Sequence, residues 1–245
     1  MIELLIFTIL TIVFFIGRYF FTRPSFIRIM WGTYILLVLT NAMVFNYTLL
    51  SKNCEGNVNF GTVFLNTALP WLLIFGSIQA ALAAFPAWKM PFSNTFGYLA
   101  AKVGGIDSVL FELLKSPSPS SGRLQKTLNN IYSNPALFIN EITPKNFSDF
   151  AQRSSFLFVQ GATAKPEWMQ FYNLIRVKDL ISGFLWSLLS GMLVSTVSYN
   201  NLVNTKCTNS VAEMKKRHDD YERKVKADLD EGKNAPPKRV YYIRD

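Results

Sequence analysis

Long uncharged runs separated by short polar connections dominate the hydropathy pattern of this chain. Residues 2–21 carry only Glu3 and Arg18, each near one end, and residues 29–50 carry no charge. From Gly56 to Trp88 there are thirty-three residues without one charged side chain, and a fourth apolar run occupies residues 180–202. About twenty apolar residues cross a hydrocarbon core roughly 30 Å thick, at about 1.5 Å of rise per residue. The pattern therefore predicts four spans: Ile2–Phe21, Ile29–Leu50, Val63–Phe85 and Leu180–Leu202.

Details within the spans refine this picture. Trp31 and Tyr34 at one end of the second span and Tyr47 at the other fit the interfacial aromatic belts. Asn41 and Asn46 should face another helix, because lipid cannot satisfy an amide. Pro70 lacks a backbone donor and should kink the third span or mark its first turn. Residues 56–62 before it read as an interfacial approach. In the fourth span Gly183, Ser187 and Gly191 recur every four residues, a small-xxx-small face that lets another helix come close.

Between the third and fourth spans lie some ninety residues, too many for a structureless loop. Residues 107–115 and 123–132 carry apolar side chains at helical spacing, with the breaker Ser116–Gly122 between them. Residues 147–153 and 168–177 read as further short helices. Past the fourth span, Ser210-Val211-Ala212-Glu213 has the form of a capping box, while Gly232 and Pro236-Pro237 stop the run. Acid-before-base pairs such as Glu213–Arg217 and Asp219–Arg223 should support that helix. Val211, Met214, His218, Tyr221, Val225 and Leu229 form one stripe on it, packed on this chain's own subdomain or on another subunit. The predicted fold class is all-α. A three-span region (1–86) precedes a small, mostly helical extramembrane subdomain (87–179). The fourth span (180–202) and a charged tail with an amphipathic helix over 211–231 complete it.

Composition agrees and narrows the function. Half the residues are hydrophobic, with 21 Phe, and only 17% are charged, against about a quarter in soluble domains. Net charge is +9. Arg18, Arg23 and Arg28 surround the first connection with no acid beside them, as expected of residues that meet lipid head groups or stay cytoplasmic. The tail mixes eleven bases with eight acids, so no specific nucleic acid is expected. The single histidine, His218, excludes any two-histidine metal site within one chain, and no P-loop, GxGxxG or GxSxG motif is present. No cofactor and no enzymatic activity are expected. With four spans, Cys54 and Cys207 lie on the same side of the membrane; they could pair or remain two free thiols.

Two stretches carry more than composition. Trp88-Lys89-Met90-Pro91-Phe92-Ser93-Asn94-Thr95-Phe96-Gly97-Tyr98 follows the third span directly, and Asn140-Glu141-Ile142-Thr143-Pro144-Lys145-Asn146-Phe147 lies downstream. Physically, Ser93, Asn94 and Thr95 can cap a helix from Phe96 onward, and Asn140-Glu141 with Thr143-Pro144 form a cap and turn before Phe147. These motifs either fix the fold of the subdomain or touch a partner. The combination resembles membrane proteins of nucleocytoplasmic large DNA viruses, nearest their algal-virus branch, over roughly residues 60–180. That resemblance implies a virion protein in the membrane beneath an icosahedral shell, a minor capsid component whose subdomain and tail bind shell proteins. It brings no catalytic residue. The alternatives are an oligomeric channel subunit, joined through Gly183, Ser187 and Gly191 and lined by Asn41, Asn66 and Gln79, or an assembly factor.

Overall fold

The computed structural model describes residues 2–54, 58–118, 122–205, 207 and 211–230, and in the last of these stretches the side chains of 214–229. The capping-box residues Ser210 and Glu213, the Val211 side chain, Gly232 and Pro236-Pro237 therefore lie outside the described structure. The protein is all-α, with no strand among the described residues.

The first span is α1 (Ile2–Phe20) and the second α2 (Pro24–Asn53), which starts with Pro24 in its first turn, where a missing N–H costs nothing. The third is α3 (Phe60–Pro70), capped by the side-chain oxygen Oδ1 of Asn59, which accepts from Gly61 N–H at 2.9 Å. It continues through one π-helical stretch (Trp71–Gly76) into α4 (Ser77–Ala84). Pro70 cannot donate to the turn before it, and the wider turn begins at the next residue. All four candidate spans are long and apolar enough to cross a membrane.

Residues 86–103 form a nearly unbroken helical path: a 3₁₀ turn (Pro86–Lys89), α5 (Met90–Phe92), a π turn (Ser93–Gly97) and α6 (Tyr98–Val103). Gly105, at φ +87°, then reverses the chain into α7 (Ile106–Leu113). There follow α8 (Arg123–Ser133), α9 (Pro135–Asn140), α10 (Phe147–Arg153) and two 3₁₀ turns. Leu110, Leu113, Leu128, Ile139, Ile142 and Ile175 are the fully buried centre of this subdomain.

The fourth span differs from the sequence expectation. Residues 168–177 and 180–202 are not two helices but parts of one, α11 (Pro166–Val203), 38 residues long. Arg176, Lys178 and Asp179 stand at the boundary of the two ranges, yet no residue there opposes helix and the neighbours absorb the charges. The N-terminal part of α11 supplies Phe171 and Ile175 to the subdomain core, and its remainder packs against α1, α2, α3 and the first π turn.

The interior of the bundle combines aromatic rings, among them Phe7, Phe14, Phe15, Trp71 and Phe75, with small and polar residues. The Thr11 hydroxyl and Tyr34 OH lie 3.0 Å apart, and Asn46 Nδ2 donates to Thr67 Oγ1 at 2.9 Å. Gln79 Nε2 reaches Ser187 Oγ and Ser190 Oγ, both at 3.4 Å. Asn66 donates to its own helix at Thr62 O, and Asn41 donates to Glu3 O. Gly183 faces the Phe15 ring and Gly191 the Phe7 ring. The small-residue face thus packs against α1 of the same chain, so it is not free to join copies into a channel. Leu36, Leu72, Leu73 and Leu193 point outward, as a lipid solvent requires.

The tail helix is α12 (Val211–Asp230). Its stripe is not packed on the subdomain: Met214, Tyr221 and Leu229 are about half exposed (51%, 45% and 53%) and Val225 is partly covered. His218 is exposed and pairs with Glu222 at 3.3 Å. Arg223 pairs with Asp220 at 2.8 Å and meets only the backbone carbonyl of Asp219, in place of the expected i,i+4 partner. At the opposite end of the bundle from the subdomain, Cys54 and Cys207 are joined in a disulfide with a Cα–Cα distance of 5.4 Å.

Candidate functional site at the junction of membrane and subdomain

The two sequence motifs meet on one side chain. Lys178 of α11 is only 1% exposed, and its ammonium donates to Ile139 O (2.9 Å), Asn94 Oδ1 (3.2 Å) and Asn140 Oδ1 (3.5 Å). An ammonium has three donors, and three neutral oxygens take them. One oxygen comes from the first motif, one from the second, and one from the carbonyl immediately before the second. Sequence reading missed this residue, although a signal existed. Phe171, Ile175, Lys178 and Ser182 fall at helical spacing on one face, all buried, so the lysine interrupts a core stripe.

Local structure brings the first motif to α11. The π turn at Ser93–Gly97 faces α11, and Gly97 touches the Lys178 carbonyl so closely that an added Cβ would collide with that backbone oxygen. Only glycine permits this approach. The turn also corrects the expected helix start: Ser93, Asn94 and Thr95 cap nothing, because the chain is already helical from Met90. Asn94 spends its carbonyl on Lys178, and Thr95 Oγ1 donates back to Pro91 O. Around the turn, Ser182 Oγ donates to Lys89 O at 2.7 Å and Trp186 Nε1 to Trp88 O at 3.1 Å. The Phe92 ring meets Trp186 edge-on, with centroids 5.2 Å apart. Lys89 and Asp179 form a half-buried ion pair at 3.3 Å.

Tyr98 closes the first motif from the subdomain side. Its hydroxyl donates to Asp107 Oδ1 at 3.1 Å. Burial, followed by the Asp107 carboxylate, pushes the Tyr98 hydroxyl up to about 12, so it stays a donor throughout the physiological range.

The second motif divides into two parts. Asn140 reaches Lys178, whereas Thr143, Pro144, Asn146 and Phe147 do not. Thr143 N–H donates to Asn146 Oδ1 (2.7 Å), Asn146 N–H to Thr143 Oγ1 (3.2 Å), and Asn146 Nδ2 to Glu141 O (2.9 Å). This reciprocal set is a closed turn over Pro144, not a side-chain cap on α10. It delivers the Phe147 ring onto Trp168, Phe171 and Tyr172, with centroids 5.3, 5.9 and 4.9 Å away. Both motifs therefore grip the same helix, one near Lys178–Trp186 and the other near Trp168–Lys178.

The arrangement defines an all-α protein with four helices fit to cross a membrane and a helical subdomain locked onto one of them. The polar groups around Lys178 and Ser182 satisfy one another. Comparison with protein-family models, with curated proteins and with solved structures finds no match.

Proposed function

We propose that this chain is a non-enzymatic structural protein of a large DNA virus, a minor capsid component that anchors the shell to the membrane beneath it. The observation that carries this reading is α11, a single 38-residue helix that is shared by the subdomain core and the membrane bundle. With Lys178 buried between the two motifs, force applied to the subdomain reaches the spans without a hinge. A tether between shell and bilayer requires that property. The polar side chains once available for a channel lining, Asn41, Asn66 and Gln79, are engaged within the chain. The viral assignment rests on the resemblance of the two motifs.

Two independent signals support one orientation within this proposal. Disulfides persist in oxidising compartments, which favours that face for Cys54, Cys207 and the tail. Arg18, Arg23 and Arg28 favour the cytoplasmic face for the opposite end of the bundle, with the subdomain. The subdomain is then the part that meets a shell, and the α12 stripe serves a partner on the other face.

Cross-linking mass spectrometry on intact particles tests this. Lys102, Lys126 and Lys145, all exposed on the subdomain, should link to shell proteins. Tyr221→Glu with Val225→Glu should leave those links intact while removing links from Lys215, Lys216 and Lys224. Subdomain links confined to this chain and its copies would overturn the proposal, as would absence of the chain from finished particles.

A further inference from the structure

The end of the bundle that carries the subdomain also holds two guanidinium groups beside an apolar groove. The groove is a cleft of about 450 Å³ between α1 and α11, open to the lipid side. Ile12, Ile16 and Phe20 line it from α1, and Val177, Ile181 and Phe184 from α11. Along α1 that lining extends about 12 Å, at about 1.5 Å per residue. Its wall is almost wholly hydrocarbon, as an acyl chain requires.

Arg18 and Arg176 each lie beside a ring that lines the groove, and Arg18 also lies 5.9 Å from the Trp31 ring of α2. The Arg18 guanidinium lies 5.9 Å from the Phe15 ring centre, and that of Arg176 lies 5.9 Å from Tyr19, both rings of the groove. Arg176 Nη2 donates to the carbonyls of Arg18 (3.4 Å) and Tyr19 (3.1 Å), the last turn of α1. Arg18 Nε is enclosed with no acceptor at all. An unpaired donor on a cation is costly, and Asp179, whose charge reaches Arg18, makes its hydrogen bonds to Lys89 instead. Two planar forks with spare donors fit the oxygens of a phosphodiester.

We propose that this groove is a site for one anionic phospholipid, its phosphate held by Arg18 and Arg176 and an acyl chain lying between α1 and α11. The excess positive charge of Arg18, Arg176 and Lys89 over Asp179 selects an anionic head group over a zwitterionic one, whose own cation it repels. The lipid would fill the seam between the first span and the helix that carries the subdomain.

Native mass spectrometry of the full chain, released from micelles containing equal phosphatidylglycerol and phosphatidylcholine, tests the site. The wild type should retain one phosphatidylglycerol with at least roughly tenfold preference over phosphatidylcholine, a difference of about 1.4 kcal/mol. Arg18→Gln with Arg176→Gln should abolish the preference. Ile16→Trp with Ile181→Trp, which fills the groove and keeps both charges, should abolish retention itself. The Cys54–Cys207 disulfide, read on a non-reducing gel, confirms that each variant is folded. Equal retention of the two lipids by the wild type would overturn the proposal. So would undiminished phosphatidylglycerol binding in the folded groove-filled variant.

Discussion

The membrane bundle and the subdomain differ in how much polar side chain they bury. Inside the subdomain are Leu110, Leu113, Leu128, Ile139 and Ile142 with the rings of Phe147, Phe158 and Phe171; inside the bundle, beside Val38, Leu50, Leu202 and its own aromatic rings, are Thr11, Asn46, Thr67, Ser182, Ser187 and Ser198. Leucines of the bundle, such as Leu36, Leu72 and Leu193, lie outside. The contrast follows from the solvent. Water drives aliphatic side chains inward, whereas lipid offers them as good a home as the interior does. Close packing around small residues and hydrogen bonds between helices then hold the bundle together. One helix, α11, obeys both rules along its length, with Phe171 and Ile175 buried at one end and Ser187, Gly191 and Ser198 at the other.

Truncations should separate the two regimes most sharply. Leu110→Ala removes a fully buried side chain from the water-driven core and should cost about 3–4 kcal/mol, read by thermal or denaturant unfolding in micelles. A cost below about 1 kcal/mol would mean that the subdomain has no tight core. Gly97→Ala attacks the seam, where the new methyl meets backbone and cannot be relieved by a rotamer change. A loss of about 2–3 kcal/mol is expected, with easier proteolysis of the subdomain while the disulfide remains intact. Asn94→Ala leaves the Lys178 ammonium one acceptor short and should cost about 1–2 kcal/mol by the same measurement. Leu193→Ala, on the lipid face, should change stability by less than about 0.5 kcal/mol. A large loss there would show that Leu193 is covered by another helix.

Much of the architecture could be read from local pattern. The four spans and the helices near 106–113, 123–133 and 147–153 all follow from periodicity and length. What pattern could not supply was pairing. Gly183 and Gly191 announced a close helix neighbour, but spacing does not say whether that neighbour belongs to this chain; here it is α1. Lys178 went unnoticed because an Arg-Val-Lys-Asp sequence beside an apolar run looks like the end of a span. Its acceptors come from residues 94, 139 and 140, far off in the chain, and no local rule brings them to it. The two motifs were visible as unusual strings, while the reason for their residues became apparent only where they meet. Asn94 and Asn140 hold one ammonium, and Gly97 makes room for a backbone.

The Cys54–Cys207 bond has a topological consequence. It joins positions 153 apart in sequence and so closes the third span, the entire subdomain and α11 into one covalent ring. A single cut anywhere within that ring leaves the molecule in one piece. Proteolysis at the exposed Ser116–Ser118 segment would therefore yield two fragments only after reduction, and a nicked subdomain would stay threaded to both halves of the bundle.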